Sequence, residues 1–230
     1  MITIFLEDTT KNPITTIGKY AGVCYGSNIA DNDKNYKRGL DCFDSGHGRV
    51  LESVKVSMII DGYSAKFCRE LYTHVGGSPM RLQSSTRYID YALKGFDYVT
   101  PPTIESCEAA KIIYEDCMNY LRKTCLLLEN INIPKEDASM LLPLGMTSKM
   151  VWNGNLRCLL EMSHQRMCAR AYWEYRKFMK ELCLKLSEID EEWKFVVSNY
   201  FMPKCKISGY CTEKFSCGAM PKKSEMEGKN

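Results

Sequence analysis

The sequence predicts an α/β fold with a mainly antiparallel central sheet flanked by helices. Short alternating stretches rich in β-branched residues are separated by longer stretches whose apolar residues recur every three or four positions. These strands and helices interleave without a strict strand–helix–strand rhythm, and no glycine fingerprint of a dinucleotide-binding parallel sheet opens a helix. The chain has 230 residues, 45% hydrophobic and 26% charged, which are ordinary globular values. A chain of this length can bury a real core without disulfide staples.

The elements follow in order. Met1–Leu6 alternates apolar and β-branched residues as a short, covered strand. Pro13 suits the first turn of a helix carrying Ile14, Ile17, Tyr20, Ala21 and Cys24, which Gly26 and Ser27 end. Asn32–Phe43 reads as a second helix with Lys34, Lys37 and Arg38 on its wet side, and the glycines after Ser45 leave His47 on a loop. Val54–Ile60 is a half-buried strand running to a turn at Asp61-Gly62. Ser64 is an N-cap for a helix with inner stripe Ala65, Cys68, Leu71, Tyr72 and Val75, stopped by Gly76-Gly77-Ser78-Pro79. Met80–Thr86 reads as irregular. A long amphipathic helix follows Pro101-Pro102 from Thr103 to Leu128. Pro134 and Pro143 bracket a short helical piece, Met146–Trp152 reads as a strand, and Asn155–Ser187 as mostly helical with a break near Gln165. Residues 1–202 are expected to form one catalytic domain and 203–230 a mobile tail rich in Cys and Lys.

A net charge of +3 is too balanced for a surface that neutralises nucleic acid. No stretch reaches the ~20 apolar residues of a membrane span, and no secretory signal is visible, so a cytoplasmic protein is expected. The twelve cysteines then read as reduced, mostly buried small hydrophobes.

Three clusters could carry chemistry. Gly76–Arg87 gathers glycines, hydroxyls, Arg81 and Arg87, a composition suited to an anion or equally to a solvated loop. Asn155, Arg157, His164, Arg166 and Arg170 lie on one helical region, either as an anion site or as a stripe in which Glu174 compensates Arg170. Cys205-x5-Cys211-x5-Cys217 could hold zinc if Cys183 or another subunit supplied a fourth ligand, or could be ordinary thiols. No metal is assigned to these residues.

Two ordered blocks are more specific than any cluster alone. Arg69-Glu70-Leu71-Tyr72-Thr73-His74 followed by Gln83-Ser84-Ser85-Thr86-Arg87-Tyr88 resembles the signature of the flavin-dependent thymidylate synthases. Leu142-Pro143-Leu144, Asn155-Leu156-Arg157, Gln165-Arg166 and Ala171-Tyr172-Trp173-Glu174 resemble the family's second block, and His47 with Glu52 its upstream element. The resemblance spans roughly Ala21–Arg176. It implies the fold of the thymidylate synthase complementing proteins, a homotetramer with active sites between subunits, and conversion of dUMP to dTMP. FAD would be the cofactor, with methylenetetrahydrofolate and NADPH as co-substrates.

Carried over by position, His74, Gln83, Asn155 and Arg157 would bind FAD. Thr73 joins this cofactor group and, with Glu70, would also line the nucleotide pocket. Ser85 and Arg87 would bind dUMP, with Arg87 on the phosphate. Arg166 would face the uracil and stabilise negative charge as N3 ionises, making the ring carbon more nucleophilic.

The chain departs from the pattern at four positions. Thr73 and Val75 replace two signature arginines, Ser139 stands where an arginine commonly meets the nucleotide phosphate, and Glu161 replaces a flavin-touching asparagine. Arg81, in a loop longer than usual, is the candidate replacement cation. Each lost charge-assisted hydrogen bond is worth ~1.5–3 kcal/mol. A related dUMP-modifying enzyme, such as a hydroxymethylating one, and a non-catalytic nucleotide binder are the alternatives.

Overall fold

The computed structural model describes residues 3–74 and 79–227. The predicted first strand and its two helices appear as β1 (Thr3–Leu6), α1 (Pro13–Cys24) and α2 (Asn32–Asp44), although Met1 and Ile2 lie outside the described residues. Pro13 opens α1, and the Asp31 side chain caps α2 by accepting from Lys34 N at 3.1 Å. The two helices cross at glycines. A Cβ at Gly18 would lie 1.7 Å from the Asn35 carbonyl oxygen, and one at Gly39 would lie 2.0 Å from that of Ile14.

After a 3-10 turn at Val50–Ser53, β2 (Lys55–Ser64) runs on through the expected turn at Asp61-Gly62. Gly62 makes this possible by adopting φ +79°, a left-handed value that a side chain would resist. Ser64 then caps α3 (Ala65–Tyr72), its Oγ accepting from Phe67 N at 3.0 Å as expected. The expected stripe member Val75 and the stop signal Gly76-Gly77-Ser78 lie outside the described residues.

Met80–Gln83, expected to be irregular, forms strand β3. The helix expected from Thr103 is two helices, and a short α4 (Tyr91–Lys94) precedes them. The first is α5 (Pro102–Glu105). Ser106 Oγ closes it on Thr103 O at 3.1 Å, and Cys107 is extended before the long α6 (Glu108–Asn130) begins. Between Pro134 and Pro143 lie α7 (Lys135–Ala138) and a 3-10 turn at Ser139–Leu141. β4 (Thr147–Asn155) outruns the expected strand and hands directly to α8 (Leu156–Arg166), whose N-cap is Asn155. The expected break separates α8 from α9 (Trp173–Ser187). The sequence reading assigned nothing to α10 (Glu191–Tyr200), and the expected mobile tail contains α11 (Lys204–Ser208) and α12 (Lys223–Glu227).

The sheet order is β1-β2-β4-β3, antiparallel as predicted. Two compact units divide the chain, and β2 and β4 each contribute to both. One unit comprises Ile59–Thr73 and Arg81–Trp152, with the start of β1. Its core holds Phe96, Met118 and Met146, lined by Ala65, Tyr114 and Leu121. Ala65 N and Lys66 N donate to Met146 O and Leu144 O at 2.8 and 2.9 Å, which fixes the start of α3 beside the lead into β4.

The other unit comprises Ile4–Met58, His74 and the chain from Asn153 onward. Ile14, Ile17, Leu159, Phe178 and Trp193 are fully buried in it. α10 clasps the start of α1, with Asp190 accepting from Asn12 N and Glu192 from Thr15 N, at 2.8 and 2.9 Å. Trp193 Nε1 donates to Thr10 O at 2.8 Å, so a buried indole has its partner.

Candidate active site

The predicted site residues divide between the two units. Within the first, α3 ends in Glu70 and Tyr72, and Thr73 Oγ1 turns back to donate to Glu70 O at 2.6 Å. Arg81, the candidate replacement cation, donates to the last carbonyls of α3, at 2.8 Å from Tyr72 O, and lies over the Tyr72 ring. It thus complements a helix C-terminus.

β3 aligns the next residues against β4. Gln83 Nε2 donates to Ser148 Oγ at 3.0 Å, and Ser84 N to Lys149 O at 2.8 Å. Ser85 Oγ accepts from Arg87 N at 3.2 Å, a local turn that presents both side chains from one loop. The Arg87 guanidinium forms an ion pair with Glu136 at 2.9 Å, both side chains being more than half exposed. Glu136 O in turn accepts from Ser139 Oγ at 2.9 Å. Ser139, the position read as lacking a phosphate arginine, therefore lies beside Arg87's carboxylate partner. Glu136 was not singled out from sequence, because nothing local couples it to a residue 49 positions away.

Within the second unit, α8 carries Arg157 and Arg166, with Asn155 as its N-cap. Leu156 N donates to Val54 O at 2.9 Å, anchoring the first turn. Asn155 Oδ1 accepts from Cys158 N at 3.0 Å, so that side-chain oxygen serves as the helix cap. Arg157 NH1 reaches Glu52 at 2.9 Å and its Nε reaches Glu161 at 3.1 Å. These carboxylates raise the guanidinium pKa further above its ordinary value. The upstream element is thereby joined to the second block, with Gly48 against Arg157 and His47 exposed beside it.

Arg166 closes α8. Its Nε donates to His74 Nε2 at 2.7 Å, and its guanidinium lies 4.6 Å from the Tyr175 ring centroid. Because arginine stays protonated, His74 Nε2 must be the acceptor and Nδ1 the protonated nitrogen of a neutral ring. The His74 ring meets the same Tyr175 edge-on at 5.6 Å. Tyr175, which was not read as functional, is fully buried and backs both side chains. Its sequence signal was only an apolar step on a helix.

Arg170 donates to Phe215 O and stacks on the Phe215 ring, so the tail engages this arginine. Cys205, Cys211 and Cys217 line a cavity of about 280 Å3 with Cys168 and His164. The cysteine brought to them is thus Cys168. Cys183 lies elsewhere, its thiol pKa pushed up to about 12 by burial. Among the described residues, no three His, Cys, Asp or Glu are placed to hold a metal ion. No helix among them is long and apolar enough to cross a membrane.

Comparison with known proteins assigns this chain to a family. The sequence model described as thymidylate synthase complementing protein matches residues 5–190. The chain belongs to this family. Similar members include the flavin-dependent thymidylate synthase of Nitratidesulfovibrio vulgaris, 33% identical over 193 residues, covering 80% of this chain and 76% of that protein. The flavin-dependent thymidylate synthase of Pyrococcus furiosus is 28% identical over 229 residues, covering 93% and 91%. Among solved structures, the flavin-dependent thymidylate synthase ThyX of Helicobacter pylori, complexed with FAD and dUMP, superposes with a TM-score of 0.68. It is 19% identical and covers 86% of this chain and 99% of that one, a likeness of fold. The match to the thymidylate synthase complementing family, over residues 5–190, takes in every predicted site residue from Glu70 to Arg166.

Proposed function

We propose that this chain is a flavin-dependent thymidylate synthase that methylates dUMP to dTMP, with FAD as cofactor. Methylenetetrahydrofolate is the carbon donor and NADPH the reductant in this reading, and the enzyme is a cytoplasmic homotetramer. The observation that carries the reading is the Arg166–His74 pair, which joins the last residue of the first signature stretch to the Gln165-Arg166 element of the second block at 2.7 Å. Family membership supplies the reaction class.

The residues present fit the cofactor's chemistry: a half-exposed guanidinium at Arg157 suits an anionic oxygen, and neutral His74 offers a ring nitrogen and a flat face. When bound, FAD carries the hydride that reduces the transferred carbon. Arg157, His74, Asn155, Gln83 and Thr73 hold the flavin in this reading. Ser85 and Arg87 take the nucleotide, Arg87 through its phosphate, and Glu70 lines its pocket.

Arg166 performs the electrostatic work. Tyr175 below and His74 beside it restrict the guanidinium before substrate arrives, so little reorganisation is needed when charge develops on the uracil. A fixed cation next to N3 favours its ionisation and thereby raises electron density at the ring carbon that takes the methyl group. The exposed Ile113, Tyr120 and Leu127, seven residues apart on α6, offer an apolar stripe for a neighbouring subunit.

The test is the visible absorbance of the purified protein titrated with FAD, with and without dUMP, followed by a dTMP assay with methylenetetrahydrofolate and NADPH. A saturable flavin spectrum that dUMP perturbs, together with turnover to dTMP, is expected. Flavin and dUMP binding without turnover, or a product other than dTMP, would refute the methylation. No flavin binding would refute the cofactor.

A further inference from the structure

The Arg157 guanidinium is gripped from two sides. Glu52 takes NH1 at 2.9 Å from the 3-10 turn at Val50–Ser53, an element apart from α8, and also pairs with Arg49 at 2.8 Å. Gly48 closes a further side, since a Cβ there would come within 3.3 Å of Nε. Glu161 takes Nε at 3.1 Å from one turn along α8. Its side chain is half exposed and it is the more accessible of the two carboxylates, at 50% against 28% for Glu52. An exposed pair at this spacing, with the acid C-terminal to the cation, adds little to folding. Stability therefore does not account for a carboxylate at a position where the resemblance expects a neutral asparagine.

The geometry points to Glu161 as the residue that sets this chain's affinity for its flavin: an internal carboxylate that occupies Arg157 and opposes the approach of an anionic oxygen. The inference rests on the reading of Arg157 as a flavin-binding residue. It makes Glu161 a positioning residue, since it acts through Arg157. In the free protein the acid holds the guanidinium on the surface of α8. On binding, FAD must share or displace that partner, and it meets a negative charge that an asparagine would not present. Glu52, the less accessible carboxylate and carried by the 3-10 turn at Val50–Ser53, keeps Arg157 oriented in either state.

Glu161→Gln keeps the shape and an acceptor oxygen while removing the charge, and Glu161→Asn does the same with a shorter side chain. The experiment is FAD binding measured by fluorescence for wild type, both variants and Arg157→Ala, at low and high salt. One unit charge about 5 Å from another in water corresponds to a factor of about four in affinity. Both Glu161 variants are therefore expected to bind FAD about fourfold more tightly than wild type at low salt. The gain should shrink as the screening length falls from ~10 Å at 0.1 M to ~3 Å at 1 M. Arg157→Ala should bind more weakly. Equal or weaker FAD binding by both Glu161 variants, with Arg157→Ala still impaired, overturns the role of Glu161 and leaves the flavin reading standing. FAD affinity unchanged in Arg157→Ala overturns the placement of Arg157 and the inference with it.

Discussion

Replacing Arg166 by glutamine separates the structural contacts of its guanidinium from the catalytic role proposed for it. In the folded protein the substitution removes a 2.7 Å hydrogen bond to His74 and a cation lying 4.6 Å from the Tyr175 ring centroid. A hydrogen bond to a charged group contributes about 1.5–3 kcal/mol, and a partly exposed cation–π contact about 0.5–1 kcal/mol. The glutamine amide can still donate to His74 Nε2, which recovers part of the first contribution. The expected loss of stability is about 1–2 kcal/mol. For a chain of this size that lowers Tm by roughly 2–8 °C. The chemical loss is larger. Removing a fixed donor aimed at developing charge lowers turnover by about 10²–10³, or about 2.7–4 kcal/mol. Thermal melts and single-turnover dTMP formation at saturating FAD and dUMP measure the two effects separately. Turnover within about threefold of wild type in a protein that melts a few degrees lower would refute the electrostatic role and leave Arg166 as a structural residue.

Three further outcomes are expected. Glu136→Gln releases Arg87 from its 2.9 Å ion pair, so calorimetry should find dUMP binding tighter by about two- to fivefold, with little change in Tm because the pair is exposed; weaker binding would mean that Glu136 positions Arg87 productively. Gly18→Ala places a Cβ 1.7 Å from the Asn35 carbonyl oxygen, where backbone must move, and should cost about 3 kcal/mol or more in urea unfolding; a midpoint equal to wild type would show that α1 and α2 do not cross this closely. The Lys135 ammonium and the Leu93 amide lower the Asp90 pKa, and the Lys34 amide lowers that of Asp31. Both carboxyls thus bind a proton less readily when folded, so their stabilisation is complete above the ordinary carboxylate pKa of about 3.9 and is lost as pH falls through the depressed folded values. Urea midpoints of wild type and Asp90→Asn should differ at pH 7 and converge as pH falls through the depressed folded pKa; a difference that persists unchanged in acid would count against the Lys135 and cap contacts.

The helix starts were readable because their signals are local. Pro13 and Ser64 sit within three residues of the amide or turn they serve, and the apolar periods of α1, α3 and α6 follow from helical geometry alone. Gly62 shows where that logic stops. A glycine after aspartate reads as a turn, yet the same permissive φ lets β2 bend and continue, and pairing elsewhere in the sheet decides between the two. Met80–Gln83 carries no strand period and becomes a strand because β4 offers it hydrogen-bonding partners more than sixty residues away.

The candidate site divides along the same line. By itself, the sequence determined the α/β class, the order of the two signature blocks and the residue types at Arg87, Arg157 and Arg166, since each is a matter of local pattern and spacing. Only the tertiary structure decided which groups those cations face. Glu136 meets Arg87, Glu52 and Glu161 meet Arg157, Tyr175 backs Arg166, and Cys168 joins the tail cysteines. An ion pair or ring contact depends on distances of a few ångströms between side chains, and most of these partners are brought together by packing and strand pairing across dozens of residues, which no sequence period encodes.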